Sequence, residues 1–174
     1  MTIFSLRCSN IQTESFKRCK QYSIALLFIA IISITTTAGT AWAKPFLSKG
    51  QTLYVPAYSH IYIGHKARPY MLTITLSIRN IDAGSSLTLT TIDYYGTEGG
   101  LVRHYLENPI TLKPMASTRY VVPSPDETGG SGANFIVKWH AKKEINAPIV
   151  ESIMIGTQSQ QGISFTSRGQ EITP

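Results

Sequence analysis

Between Met71 and Tyr95 the side chains alternate in a way that only a strand can use. Leu72, Ile74, Leu76 and Ile78 take every second position, and Thr73, Thr75, Ser77 and Arg79 fill the places between. A period of two puts the apolar set on one face and the polar set on the other, as in a half-buried β-strand. Asn80, Asp82 and Gly84 carry turn chemistry, and Leu87 and Leu89 then restart the alternation in a β-branched run ending at Asp93-Tyr94-Tyr95. The simplest expectation is a pair of antiparallel strands joined by a tight turn. Such a pair is not stable alone in water, so the rest of the chain must cover its apolar face.

The flanking sequence repeats the theme. Over Thr52 to Ile63, Leu53, Val55, Ala57, Ile61 and Ile63 share one parity. Tyr54, Pro56, Tyr58, His60 and Tyr62 share the other. Pro56 cannot donate to a ladder, which predicts an edge strand or two strands joined at a bulge. Short strands follow at Leu101 to Leu106, at Phe135 to Trp139, at Ile149 to Ile155 and at Ile163 to Thr166. Ile110 to Leu112 and Ser117 to Val122, separated by Lys113-Pro114, read as a strand crossing between sheets at a proline corner. Turn residues separate these segments, and none shows a helical repeat. The expected fold is all-β: a single immunoglobulin-like, Greek-key type β-sandwich, with a small β-barrel as the alternative.

The first residues follow another logic. Lys17, Arg18 and Lys20 precede an apolar run from Ile24 to Ile34, and small residues lead to Ala41-Trp42-Ala43. This is the pattern of a secretory signal helix cleaved after Ala43, with an uncleaved anchor as the alternative. Length favours cleavage: about 11 apolar residues rise about 16 Å as a helix, short of the roughly 30 Å hydrocarbon core. The expected organisation is a signal peptide over 1–43, a lead-in over 44–50, a sandwich over 51–168 and a disordered tail over 169–174. A periplasmic or secreted location follows, with the membrane engaged only during export.

Both cysteines, Cys8 and Cys19, precede the apolar run. The chain beyond Ala43 therefore has no disulfide, cysteine–zinc site or cysteine nucleophile and relies on its core. That region carries 12 of the 16 basic and 9 of the 10 acidic side chains, a small surplus without a dense basic stripe. It argues against nucleic acid as a partner. Lys138, Lys142 and Lys143 are the nearest thing to a patch, and a solvated strand end explains them equally well.

Several stretches resemble a known family. They are Gln51 to Tyr62, Leu76 to Asn80, Ile92 to Tyr95, Gly129 to Trp139 (GGSGANFIVKW) and Ile155 to Phe165 (IGTQSQQGISF). Together they are similar to a bacterial family of exported proteins catalogued as domain of unknown function 3124, from about Gly50 to Gly169. The resemblance implies a small exported domain with no assigned activity, cofactor or catalytic residue.

Candidate sites are weighed against plainer readings. The glycine loop Gly129 to Asn134 lacks the Gly-Lys-Ser/Thr ending of a phosphate loop and runs into a strand, not a helix. Positive φ at several glycines is its simpler explanation, and close packing near Asn134 or a partner chain is a further one. Gly130-Ser131-Gly132 lacks the context of a hydrolase elbow. His60, His65, His104 and His140 have no shared ligand spacing, so no metal is expected. Asp93 could pair with Glu151 or His104 as a catalytic acid, but a turn-capping role at a strand end is simpler. The aromatic set Tyr54, Tyr58, His60 and Tyr62, with Asn134, is the binding-site expectation, because tyrosines concentrate where partners dock. The plainer reading makes them cover for the sandwich edge. The expected role is a non-enzymatic binding or assembly module for an envelope protein, peptide or glycan. The alternatives are a small envelope hydrolase using His and acid residues at loop ends, and a structural subunit pairing through an edge strand.

Overall fold

The structure, a computed structural model, describes residues 47–173 apart from residues 66 and 159. The signal segment and residues 44–46 of the lead-in lie outside the described residues. The described strands are β1 (Leu47–Pro56), β2 (His60–Ile63), β3 (Arg68–Met71), β4 (Thr73–Arg79), β5 (Leu87–Tyr95) and β6 (Leu101–His104). They continue with β7 (Ile110–Leu112), β8 (Ser117–Val122), β9 (Asn134–Asn146), β10 (Ile149–Gln158), β11 (Gln161–Arg168) and β12 (Gln170–Glu171). One sheet has the order β12-β1-β9-β5-β6, with β7 also on β5, and a second has the order β11-β10-β4-β8. β2 and β3 form a separate two-stranded ribbon. The molecule is an all-β, sandwich-like arrangement that does not close into a barrel.

The apolar parities are as the alternation predicts. Leu72, Ile74, Leu76 and Ile78 are fully buried, and from the other sheet so are Leu89, Ile92, Phe135 and Val137. A register shift between Leu89 and Thr91 explains why the buried set of β5 passes from Leu87 and Leu89 to Ile92 and Tyr94. Such a bulge turns the following residues to the opposite parity.

The expected hairpin, however, is absent. β4 pairs with β10 and β8, whereas β5 pairs with β9, β6 and β7, so the two strands lie in different sheets. Two strands with one greasy face each can bury both by facing one another across the interior. The connection from Asn80 to Ser86 is also longer than the roughly two to five residues of a hairpin loop. The proline corner forms as read: β7 joins the first sheet and β8 the second. The two arches interlock, since β4 pairs with β8 while β5 pairs with β7.

Asn80 holds both arches at one point. It is 2% exposed. Its Nδ2 donates to the carbonyls of Ser85 (2.8 Å), Lys113 (2.9 Å) and Leu112 (3.3 Å), and its Oδ1 accepts from the amide of Asp82 (3.0 Å). Asp82 extends the stitch by accepting from the amides of Gly84 and Asn146. These backbone donors, Asn146 first, hold its carboxyl below the usual carboxylate range.

Two boundaries, and the edge placement of the strand through Pro56, need correction. Residues 47–50 of the lead-in are the first part of β1, with Leu47 paired to Asn146 and Ser48 to Ile145. The tail is not disordered over its described part, because Gln170 and Glu171 pair with Tyr54 and Leu53. β1 is consequently an interior strand. Pro56 is tolerated there because β12 reaches only Leu53 and Tyr54, leaving no partner on that side at the proline.

Candidate functional site

The outward side chains of the larger sheet follow from its register. Tyr54 stands beside Ile136, Ile136 beside Asp93, and Asp93 beside His104. The next row runs Pro56, Asn134, Tyr95, Leu101, and the row on the other side runs Thr52, Lys138, Thr91. Inward neighbours Val55, Phe135 and Tyr94 fill the core, so alternation turns these rows to the outside. Tyr54 is 37% exposed and Leu101 46% exposed, while Ile136 and Tyr95 are half-buried between them. A shallow cleft of about 360 Å³ bordered by Thr52, Thr90, Lys138 and His140 adjoins these rows. The result is a flat face with aromatic and aliphatic groups at its centre and polar groups around it.

This face collects two of the five expected binding residues, Tyr54 and Asn134. The other three leave it, because the chain departs from β1 after Pro56 and β2 belongs to a different ribbon. Tyr58 is half-buried and packs on Phe165 with ring centroids 5.8 Å apart. His60 Nε2 lies 3.3 Å from the Tyr62 hydroxyl, and the two rings meet edge to face. Tyr62 is the most exposed of the set at 59%. The ribbon carrying them is tied down by Tyr70, whose hydroxyl donates to the carbonyl of Gln161 (2.8 Å) and accepts from the amide of Gln158 (3.0 Å). The single aromatic face that parity suggests is thus two separate surfaces.

The glycine loop is a structural latch. Gly130 alone among its residues has a positive φ, 75°. At Gly129 the constraint is space, since an added Cβ would fall 1.9 Å from the Tyr94 hydroxyl. Thr97 grips the loop from the β5–β6 turn: its amide (2.8 Å) and hydroxyl (3.0 Å) donate to the Gly129 carbonyl. Its hydroxyl also accepts from the Gly132 amide at 3.0 Å. On the other side the amides of Ala57 and Ser59 donate to Ala133 and Gly130. Every one of these bonds holds chain to chain, so the loop is structural, but the expected positive φ at several glycines is met at Gly130 alone, and close packing is the constraint at Gly129.

Of the two partners considered for Asp93, the structure selects one. Asp93 Oδ1 lies 2.8 Å from His104 Nδ1, and the imidazole is 65% exposed while the carboxylate is 14% exposed. Glu151 is on β10 in the other sheet. The contact to Asp93 fixes the orientation of the exposed imidazole. Sequence reasoning passed over Ile136, Tyr95 and Leu101. Ile136 is readable as the opposite-parity neighbour of Phe135, but its place beside Tyr54 depends on a register between residues far apart in the chain. Among the described residues no three His, Cys, Asp or Glu side chains gather as a metal site.

Comparison with known proteins adds the following. A family model described as protein of unknown function (DUF3124) matches residues 50–172. No curated protein matches the sequence. A solved structure described as "Crystal Structure of Thermotoga maritima 1070" is similar at 12% identity and a TM-score of 0.41. The match covers 69% of this chain and 92% of that one, a likeness too low to bear on function.

Proposed function

The chain belongs to the DUF3124 family of proteins of unknown function, and from that premise we propose that it is a non-enzymatic binding module of the bacterial envelope, docking a partner protein on the outer face of its larger sheet. The observation that carries this reading is the composition of that face. Tyr54, Ile136, Tyr95 and Leu101 occupy the middle rows, and Thr52, Lys138, Asn134 and the Asp93–His104 pair surround or interrupt them. An aromatic and aliphatic centre within a polar rim is the usual anatomy of a protein interface. The location rests on the basic cluster, apolar run and Ala41-Trp42-Ala43 of the leader, which export would remove.

A second reading is favoured by one contact. A carboxylate orienting a histidine is two-thirds of a hydrolytic triad, and Asp93–His104 has that geometry. It is the lesser reading because no hydroxyl among the described residues is hydrogen-bonded to His104, so the nucleophile's place is empty of a candidate.

Tyr54→Ala separates the two. The variant should weaken a captured envelope partner about 30-fold or more, as loss of an interface tyrosine commonly does. Its melting temperature should stay close to that of the parent. Tyr62→Ala, on the other surface, should capture as well as the parent. Equal capture by parent and Tyr54→Ala would overturn the docking face. Hydrolysis of an ester or amide probe that disappears in His104→Ala would establish the enzyme reading instead.

A further inference from the structure

A groove lies at the end of the larger sheet's outer face, beyond the docking rows and sharing His140 with the cleft beside them, where β5 and β7 begin and β9 departs from its neighbours. Its volume is about 610 Å³, and its lining includes Ser85, Ser86, Thr111, His140, Lys142 and Lys143. Ile145, 1% exposed, helps form its apolar floor.

The two lysines are the informative feature. Consecutive residues of a regular strand point to opposite faces, so Lys142 and Lys143 should not reach one groove. They do so because β9 bulges. Gly50 pairs with His140 and Ser48 with Ile145, so Ala141 to Glu144 stand opposite the single residue Lys49. Bulges commonly re-aim side chains next to functional sites, at the expense of ladder hydrogen bonds. This one is anchored at both ends. Gly50 sits so close to the Trp139 carbonyl (2.7 Å from an added Cβ) that no side chain fits, and Asn146 donates through its amide and Nδ2 to Asp82 Oδ2.

The charge is one-sided. Among the described residues no acidic side chain lines the groove. The nearest in sequence are Glu144, exposed and outside the lining, and Asp82, whose two oxygens already accept from Gly84 and Asn146. Apart from His140, the remaining polar side chains of the lining are hydroxyls: Thr88 and Thr111 lie with their Oγ1 atoms 3.4 Å apart, and Ser85 and Ser86 also line the groove. Two ammonium groups, an imidazole and several hydroxyls around a small apolar floor suit an anion with several oxygens.

We propose that this groove binds a phosphoryl-bearing ligand, with Lys142 and Lys143 as charge partners and Thr88, Thr111 and Ser86 as hydroxyl donors. The chemistry is shared by a free phosphorylated small molecule and a lipid headgroup, and the test separates them. Full-length protein is titrated with inorganic pyrophosphate and, at matched ionic strength, with sodium chloride, and amide shifts are followed by NMR. The same protein is co-sedimented with phosphatidylglycerol and with phosphatidylcholine vesicles. The expected result is saturable pyrophosphate shifts at Ser85, Ser86, Thr88, Thr111, Lys142 and Lys143. The double variant Lys142→Gln/Lys143→Gln should keep its fold and bind at least about tenfold more weakly. Saturable pyrophosphate binding without vesicle binding assigns a free ligand, and phosphatidylglycerol binding lost in the double variant assigns a headgroup. Shifts that sodium chloride reproduces, or that extend equally to Lys49 and Lys113, would overturn the proposal unless the vesicles still bind through Lys142 and Lys143. So would parental binding in the double variant, or no binding to either probe.

Discussion

Phe135→Ala is expected to cost about 4 kcal/mol of folding stability, and with it about 15 °C of melting temperature for a domain of this size. Phe135 is fully buried in the interior strand β9. Its ring packs between Tyr94 (centroids 4.8 Å apart) and Tyr105 (5.9 Å). Truncation removes the transfer free energy of the ring and leaves a void. Tyr94, on one wall, belongs to the interior strand β5, held by ladders on both sides, so the void cannot collapse far. Phe135→Leu restores most of the volume and should cost about 1.5 kcal/mol or less. Urea unfolding of the three proteins checks the order, and an alanine cost under about 1 kcal/mol would show that the two sheets do not meet at this residue.

Asn80 should be nearly as sensitive for a different reason. Asn80→Ala leaves the carbonyls of Ser85, Leu112 and Lys113 without their side-chain donor and the Asp82 amide without its acceptor. Unsatisfied buried polar groups carry the full desolvation penalty, so a loss of about 3 kcal/mol is expected. Asn80→Asp is the sharper test. It keeps the shape and the bond from Asp82, but it sets an ionised oxygen against three carbonyls. It should cost at least as much as alanine at neutral pH and recover part of the loss in acid, where a protonated carboxyl donates once. Equal stability of Asn80→Asp and the parent at pH 7 would contradict the buried stitch.

What the sequence reveals here is governed by how far each interaction reaches along the chain. The parity of Leu72 to Ile78 depends only on each residue's own strand, and it gave the buried face correctly. The partner of that strand depends on Val122 and Met154, tens of residues away, and local pattern set β4 against the wrong neighbour. Lys113-Pro114 was readable as a corner because proline acts on its own backbone. Leu47 to Gly50 and Gln170-Glu171 carry no strong alternation, and they become strands through the partners that reach them. The same division runs through the candidate site. Tyr54 and Asn134 were visible by residue type. That Tyr58, His60 and Tyr62 depart to another surface follows from a change of direction after Pro56 that parity assumed away. Asp93 had two possible partners in the sequence, and only the β5–β6 register brings His104 beside it.

The most direct test of this fold, on which both surfaces depend, is the pattern of cross-strand NOEs in the segment around Asn80. The account predicts backbone contacts from Ile74 to Met154 and Val122, and from Ile92 to Val137. Backbone contacts between residues 73–79 and 87–95 themselves, forming one continuous ladder, would contradict it.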